Sequence, residues 1–412
     1  MPAQSGAGNE TEFDAAAAWE EFETALRDRY AYLDHRGSEA AERQLATSRT
    51  AAQNAKTRYA LRRILQQTAL TFVDPHLLVG PFDDDNFNIA MISTDLAIER
   101  RSDGFFVADV RPKSPADDAG IRPGWQVVAI DGLPVREAAS VPFGPVLDAP
   151  APDQSAWGAT LAVNGRRNQP LRVLHFRDLL GEDRIIRIAN PKRPDPSAAD
   201  GPPFTRRWIG PDEKTALIRF NNSLGRMETI ATFDDLSADL QDAAAIILDF
   251  RNTPSGGNTD IARAIIGHFI ADPQAYQRHS IPAVERATTV PRMFVEYALP
   301  RAPLIDAPLI VLHGRWTGSM GEGLVVGLDA AADAHTIGSN MGDLLGALWT
   351  VDLPLSGSQV YLGGEALFHV DGTPREEFIA DHALPTADRS TDGHDPALHA
   401  ALEYIGSLPT AP

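Results

Sequence analysis

The chain contains no cysteine, which removes disulfides, thiolate metal sites and cysteine nucleophiles together. Any nucleophile must be a hydroxyl. Lysine is nearly absent, at positions 56, 113, 192 and 214 alone. Positive charge is scarce in general: 37 Lys and Arg face 56 Asp and Glu, and a net charge of −19 repels phosphate backbones and anionic lipid, so nucleic acid is not an expected partner. The longest apolar stretches, such as Ala243 to Leu248 and Leu324 to Leu328, fall far short of the ~20 residues of a spanning helix, so no membrane span is expected. The opening residues Met1 to Phe13 lack the basic and apolar regions of a secretory signal and read as a tail. They leave the compartment undetermined, with a periplasmic or secreted location implied only if a signal peptide has been removed. His394 and His399 show no HExxH-like pairing, so neither a metal nor a cofactor is expected.

What is present is enough for several folded cores, since 412 residues with 43% hydrophobic and 23% charged side chains exceed one ordinary domain. Three regions are expected. Residues 1–86 form a helical region, in which Trp19, Phe22, Leu26 and Tyr30 recur at three- and four-residue spacing and Asp74-Pro75 ends the helical pattern just before His76. Residues 87–190 turn to short β-type runs, Gly104 to Val110 and Trp125 to Ile130. Between them Ser114-Pro115 through Gly120 reads as a short capped helix. After the Pro-rich stretch 190–203, residues 191–412 alternate buried strands (Thr215 to Phe220, Ala245 to Phe250, Leu304 to Leu312) with helices after Thr229, after Asn258 and from Ser319 to Leu328, the pattern of an α/β layered core.

Two strand-to-helix junctions could carry chemistry. The strand before His313 runs through Thr317-Gly318-Ser319-Met320 into an apolar helix. A serine there would lie where free backbone N–H groups and the positive end of the helix dipole stabilise developing anions. Ser319 is the nucleophile candidate, and an ordinary N-cap serine is the alternative. The run Asp249-Phe250-Arg251 is followed by Gly256-Gly257, a pair that permits a sharp turn with its amides close to a ligand.

Taken in order, these pieces resemble the C-terminal-processing, or tail-specific, serine protease family. The carriers are Asp249, Arg251, Gly256-Gly257, Thr317, Ser319, Glu322 and the tail from Asp371 to Phe378. The resemblance implies an α/β core of the tail-specific protease and crotonase-like type, with an N-terminal helical region and an inserted PDZ-like β domain. It implies hydrolysis of peptide bonds in protein or peptide substrates, and leaves the oligomeric state open. In the branch with a Ser/Lys dyad the lysine follows the serine by some 25 residues, but Gly338 to Gly346 contains none. The tricorn-like branch matches better and implies His76, in Asp74-Pro75-His76, as the base. It also implies Glu376 as the late carboxylate of the relay, with Glu377 one residue away. The oxyanion hole would combine the N–H of Met320 with that of Gly256 or Gly257. The PDZ-like resemblance implies that Gly104, Phe105, Phe106 and Val107 receive a peptide C-terminus, which adds as an edge strand. The alternative function is a non-catalytic peptide-binding protein that retains the protease fold. A crotonase-type acyl-CoA enzyme ranks behind both, because it would need neither the PDZ-like domain nor the His76 motif.

Overall fold

The structure, a computed structural model, describes residues 13–191 and 201–409. Three amphipathic helices open it: α1 (Ala15–Arg29), α2 (Ser38–Gln53) and α3 (Arg58–Leu70). Asp14 caps the first by accepting from the N–H groups of Ala16 and Ala17, and Thr57 caps the third. Their buried stripe, including Trp19, Phe22, Leu26, Leu45 and Leu65, does not close on itself. It packs against Leu345, Leu353, Val360 and Leu362, which are distant in sequence. The short strand β1 (Leu78–Gly80) follows the His76 loop.

Residues 91–93 make one 3₁₀ turn. Then come β2 (Leu96–Arg101), β3 (Gly104–Val110), α4 (Pro115–Asp118), β4 (Gln126–Ile130), β5 (Leu133–Pro134), α5 (Val135–Ala138), α6 (Pro152–Asn164), β6 (Leu171–Arg177) and β7 (Asp183–Ala189). The expected capped helix is α4, with the Ser114 hydroxyl accepting from Asp117 N–H. The strands form one sheet in the order β2-β3-β4-β6-β7, and their buried residues, from Leu96 to Ile188, make a core of their own. This order corrects one expectation. Gly104 to Val107 is no open edge: β3 pairs with β2 on one side and β4 on the other, Phe105 and Val107 are buried, and Val107 N–H donates to Trp125 O at 2.8 Å. An incoming peptide strand finds no unpaired backbone there.

The remaining elements are β8 (Phe204–Ile209), β9 (Thr215–Phe220), α7 (Glu228–Asp239), β10 (Ala245–Asp249), α8 (Thr259–Gly267), β11 (Gln274–Ser280), α9 (Pro282–Thr288), β12 (Met293–Ala298), β13 (Leu309–His313), α10 (Met320–Ala332), β14 (His335–Gly338), β15 (Ala347–Leu353), β16 (Ser358–Phe368), β17 (His382–Ala383) and α11 (Pro396–Ser407). A six-stranded sheet in the order β17-β14-β13-β10-β9-β8 is parallel except for β8. Every residue of β10 and β13 is buried, as a parallel sheet covered on both faces requires. Ile246 and Leu248 face the core built with α7, α8 and α10, whereas Ala245 and Ile247 face the one built with α11. A second sheet, β1-β16-β11-β12 with β15 on β16, is joined by the N-terminal β1, so the helical region and the α/β region are knit together. Among the described residues no helix is long and apolar enough to cross a membrane.

A buried arginine braces the β2–β7 unit. Arg172 forks onto Asp95 with bonds of 2.7 and 2.9 Å, both side chains fully buried, and donates to the carbonyls of Val163 and Ala189. Removing one partner of such a pair leaves an uncompensated buried charge. Arg172→Ala should therefore lower unfolding free energy by about 3–5 kcal/mol in urea titrations. Adding Asp95→Asn to it should cost less than the sum of the single changes; strict additivity would mean that the pair is not coupled.

Candidate active site

Adjacent parallel strands β10 and β13 end side by side, and ligand sites of α/β sheets gather at carboxyl ends of this kind. The two turns that leave them are bonded together. Thr253 N–H donates to Trp316 O, Gly318 N–H donates to Thr253 O, and the Thr317 hydroxyl accepts from Gly314 N–H and donates to Phe250 O. Beneath them Arg251, 2% exposed, forks onto Asp249 and reaches Asp395 and Ala387 O, pinning the first turn to the start of α11. Burial would raise the Asp249 carboxyl, but the charges of Arg251 and Arg219 hold it down at about 2.

Ser319 stands at the head of α10 with φ 53° and ψ −115°. A non-glycine residue in so sparse a region costs on the order of 1–3 kcal/mol, and several neighbours share in holding it. Its N–H donates to Glu322 Oε2 at 2.7 Å, and its carbonyl accepts from Gly323 N–H at 3.1 Å and Arg375 Nη1 at 3.3 Å. Glu322 is 2% exposed, and Arg375 lies 3.4 Å from it while also donating to Leu344 O. Burial pushes the Glu322 carboxyl up to about 8 against the opposing pull of Arg375. The backbone N–H and carbonyl of Ser319 are therefore both occupied.

The Gly256-Gly257 turn lies directly against this serine. A Cβ at Gly256, whose φ is +62°, would come within 2.4 Å of Ser319 Cβ and 2.8 Å of Met320 N. At Gly257 it would meet Leu224 O at 1.9 Å. The two amides are not equivalent. Gly256 N–H is engaged with Thr253 O at 3.1 Å, whereas those of Gly257 and Met320 have no partner among the described residues. Of the pairings read from the sequence, Met320 with Gly257 is the one left with free donors.

His76 is 7% exposed and held on both sides. Its backbone N–H donates to Asp74 Oδ1 at 2.8 Å, and its ring Nδ1 lies 3.2 Å from Leu345 O. The Asp74 carboxylate also accepts from Tyr30 OH at 2.8 Å and Leu345 N–H at 3.2 Å, so one buried group sets both the histidine and the carbonyl that orients its ring. The carbonyl acceptor requires the proton on Nδ1 and leaves Nε2 as the basic nitrogen. Burial, reinforced by the nearby Arg375 charge, pulls the His76 pKa down to about 4.

The segment 339–346, where the dyad lysine of the other branch would fall, links the two halves of the site. Gly342 N–H donates to Thr317 O, Leu344 N–H donates to Glu322 Oε1, and Leu345 O receives the His76 ring. Glu376, expected as the late carboxylate of the relay, stands apart from His76. Its carboxylate, raised by burial, lies 3.8 Å from the Nδ1 of His35 and makes no hydrogen bond to His76, because the 3₁₀ turn 375–377 directs Arg375 inward and Glu376 toward the His35 loop. Glu377 lines the same pocket as Glu376 and His35 and does not bond His76 either. His313, six residues before Ser319, is buried against Phe378 and belongs to the core. Sequence reading passed over Arg375 and the Leu345 carbonyl. Only the inward Pro374-Arg375 stands as a signal for the first, and a backbone acceptor leaves none. Among the described residues no group of three or more His, Asp or Glu side chains is placed to hold a metal ion.

The fold and this arrangement define the class: the chain has the fold of the tail-specific proteases, as the motifs led one to expect. A carboxyl-terminal-processing protease of Picosynechococcus sp. is 26% identical over 235 residues, 55% of this chain. The match takes in 47% of that protein, so the chain spans about half the length of the curated relative it matches. Among solved structures, mature CPAF has a TM-score of 0.63 at 15% identity, with 95% of both chains covered. The photosystem II D1 C-terminal processing protease has a TM-score of 0.57 at 16% identity, covering 95% of this chain and 97% of that one. No protein-family model matches the chain.

The geometry around His76 makes a spectroscopic prediction. In ¹⁵N-labelled protein the His76 ring should remain neutral and protonated on Nδ1 at pH 6, and should charge only as pH approaches about 4. The folded pKa lies below the unfolded one, so the unfolded state binds the proton first and stability should fall as pH drops below about 6.5. An imidazolium signal from His76 at pH 6.5 would contradict the assigned environment.

Proposed function

We propose that this protein is a serine endopeptidase acting on protein or peptide substrates. The observation that carries the reading is the strained Ser319 turn at the head of α10, packed against Gly256-Gly257 and linked through segment 339–346 to the oriented His76. In the proposed reaction Ser319 Oγ attacks the scissile carbonyl carbon as its proton passes to His76 Nε2. The tetrahedral oxyanion is met by the N–H groups of Met320 and Gly257, each such donor lowering the barrier by about 3 kcal/mol. Collapse breaks the C–N bond, His76 returns the proton to the leaving amine, and water then hydrolyses the acyl-enzyme by the same route. The positive charge that develops on His76 is oriented by Leu345 O, with Asp74 positioning both. Glu376 acts at longer range, as one of the carboxylates of the pocket it shares with His35.

Processing near carboxyl termini, the activity in the relative's name, enters this reading as a class of substrate. A grip on the terminal carboxylate by Gly104 to Val107 does not, because β3 has no free edge.

The test is active-site labelling and kinetics. A fluorophosphonate should label the protein at Ser319 and nowhere else, and Ser319→Ala should abolish both labelling and turnover. His76→Ala should reduce kcat by about 10⁴- to 10⁶-fold, with the fold preserved by circular dichroism. Glu376→Gln should cost less than about tenfold, since its carboxylate is not bonded to the base. Single replacements of the four lysines by Ala should leave turnover intact. For the wild-type chain, kcat/KM should hold from pH 7 to pH 5 and decline as His76 protonates near 4. Peptide binding without labelling or turnover would support the non-catalytic alternative.

A further inference from the structure

The second sheet ends on β12, which pairs with β11 and has no strand on its other side. Ile281 N–H donates to Arg292 O, and along an antiparallel ladder alternate residues turn their backbone groups to opposite sides. Arg292, Phe294 and Glu296 therefore bond toward β11. Met293, Val295 and Tyr297 direct their N–H and C=O groups away from it, with no partner among the described residues. Edge strands are ordinarily blunted by lysine, by proline or by a covering loop. Between Pro291 and Pro300 this one contains neither lysine nor proline. Its side chains are open as well: Met293, Val295 and Tyr297 are exposed, Tyr297 at 56%, and so are the flanking Val290 and Leu299. A row of apolar side chains beside a row of unpaired amides is a template for another strand.

The strand fits a second copy of itself run antiparallel about a two-fold axis. With the axis at Val295 all three outward residues pair, since Val295 faces Val295 of the second copy and Met293 faces its Tyr297. That ladder is apolar throughout. On the opposite face Arg292 falls diagonally across from Glu296 of the second copy, about 7–8 Å away, a gap that an arginine side chain spans. Arg292 is exposed and has no ion-pair partner among the described residues of its own copy. Glu296, which accepts from Tyr276 OH and lies 3.5 Å from His279, is held where it can receive one. Neighbouring registers do worse. An axis at Phe294 sets Tyr297 against Pro291, which has no N–H, and an axis at Glu296 sets the two glutamates against each other.

We infer that β12 is a homodimer interface, in which two copies join edge to edge by antiparallel pairing of Met293 to Tyr297 about a two-fold axis at Val295. One sheet then runs through both copies, and the two-fold closes the contact on itself. The next strand inward, β11, packs on α10: a Cβ on Gly327 would come 2.9 Å from Tyr276 Cδ2, and one on Gly323 2.9 Å from Gln277 Oε1. The joined sheet thus backs the helix whose head bears Ser319.

Sedimentation equilibrium of the full chain tests this in about 150 mM salt, where a screening length of ~8 Å blunts the repulsion between two copies of net charge −19. A dimer is expected at micromolar concentration. Val295→Lys, which sets two ammonium groups face to face, should weaken it by at least about tenfold, as should Arg292→Glu, while Val295→Thr should stay within about threefold. Far-UV circular dichroism should be unchanged in all three. Val295→Cys reads the register in a chain with no other cysteine: opposed residues of a bonded pair lie about 5.5 Å apart at Cα, inside the ~4.4–6.8 Å of a disulfide, so mild oxidation should cross-link it nearly completely. Leu180→Cys, 84% exposed on the inserted unit, should cross-link only at the level of random collision. None of these measurements depends on turnover. A monomer at about 100 μM would overturn the inference. So would a dimer indifferent to Val295→Lys, a Val295→Cys variant that cross-links no better than Leu180→Cys, or open-ended oligomers in place of a dimer.

Discussion

Glu322 sits inside the protein with Ser319 N–H, Leu344 N–H and the Arg375 guanidinium around its carboxyl group. A buried carboxyl so placed is costly to leave unpaired, and that cost is what ties three distant pieces of chain to one point. The serine turn comes from the end of β13, the bridging segment from the far side of β14, and Arg375 from the turn after β16. With those ties in place, Ser319 can hold φ 53°, a conformation its own preferences disfavour, and the bridging segment is brought to where Leu345 can meet His76.

The second dependence runs through Asp74. One carboxylate receives the backbone of His76, the backbone of Leu345 and the hydroxyl of Tyr30, so the helical region, the histidine loop and the bridging segment share a single acceptor. Burial raises Asp74 to about 7, and its three donors work against that shift. The ring of His76 is thus oriented by a backbone carbonyl whose own position is set two bonds away. An arrangement of this kind needs no carboxylate at Nδ1, which accounts for Glu376 facing His35 instead.

Residues 87–190 show how local motifs can mark the elements of a fold without marking its strand edges. Their Ser-capped helix, their Gly-rich turns and their two apolar runs are where local chemistry puts them. Whether a strand is central or peripheral, however, depends on partners tens of residues away: β4 closes one side of β3, and side chains of α6 bond the backbone of Leu96 and Ile98 on the free side of β2. The local sequence of Gly104 to Val107 carries no trace of either.

Residue chemistry alone was enough for the elements and for placing Ser319 at the head of a helix and His76 on a loop. The apolar runs of β9, β10 and β13 are continuous because both faces are buried, the Gly-Gly pair marks a turn too tight for a side chain, and a serine at a strand-to-helix junction falls at a helix N-terminus. Asp74-Pro75-His76 declares a loop histidine with a local acceptor. Tertiary structure decided the rest, for a physical reason common to each case: the deciding groups are backbone atoms or depend on long-range pairing. Leu345 O orients the His76 ring, Gly257 rather than Gly256 keeps its amide free because Thr253 O claims the other, and Arg375 rather than Glu376 turns inward. A carbonyl has no residue type to betray it, and which way a side chain faces on a single 3₁₀ turn follows from what is packed around it.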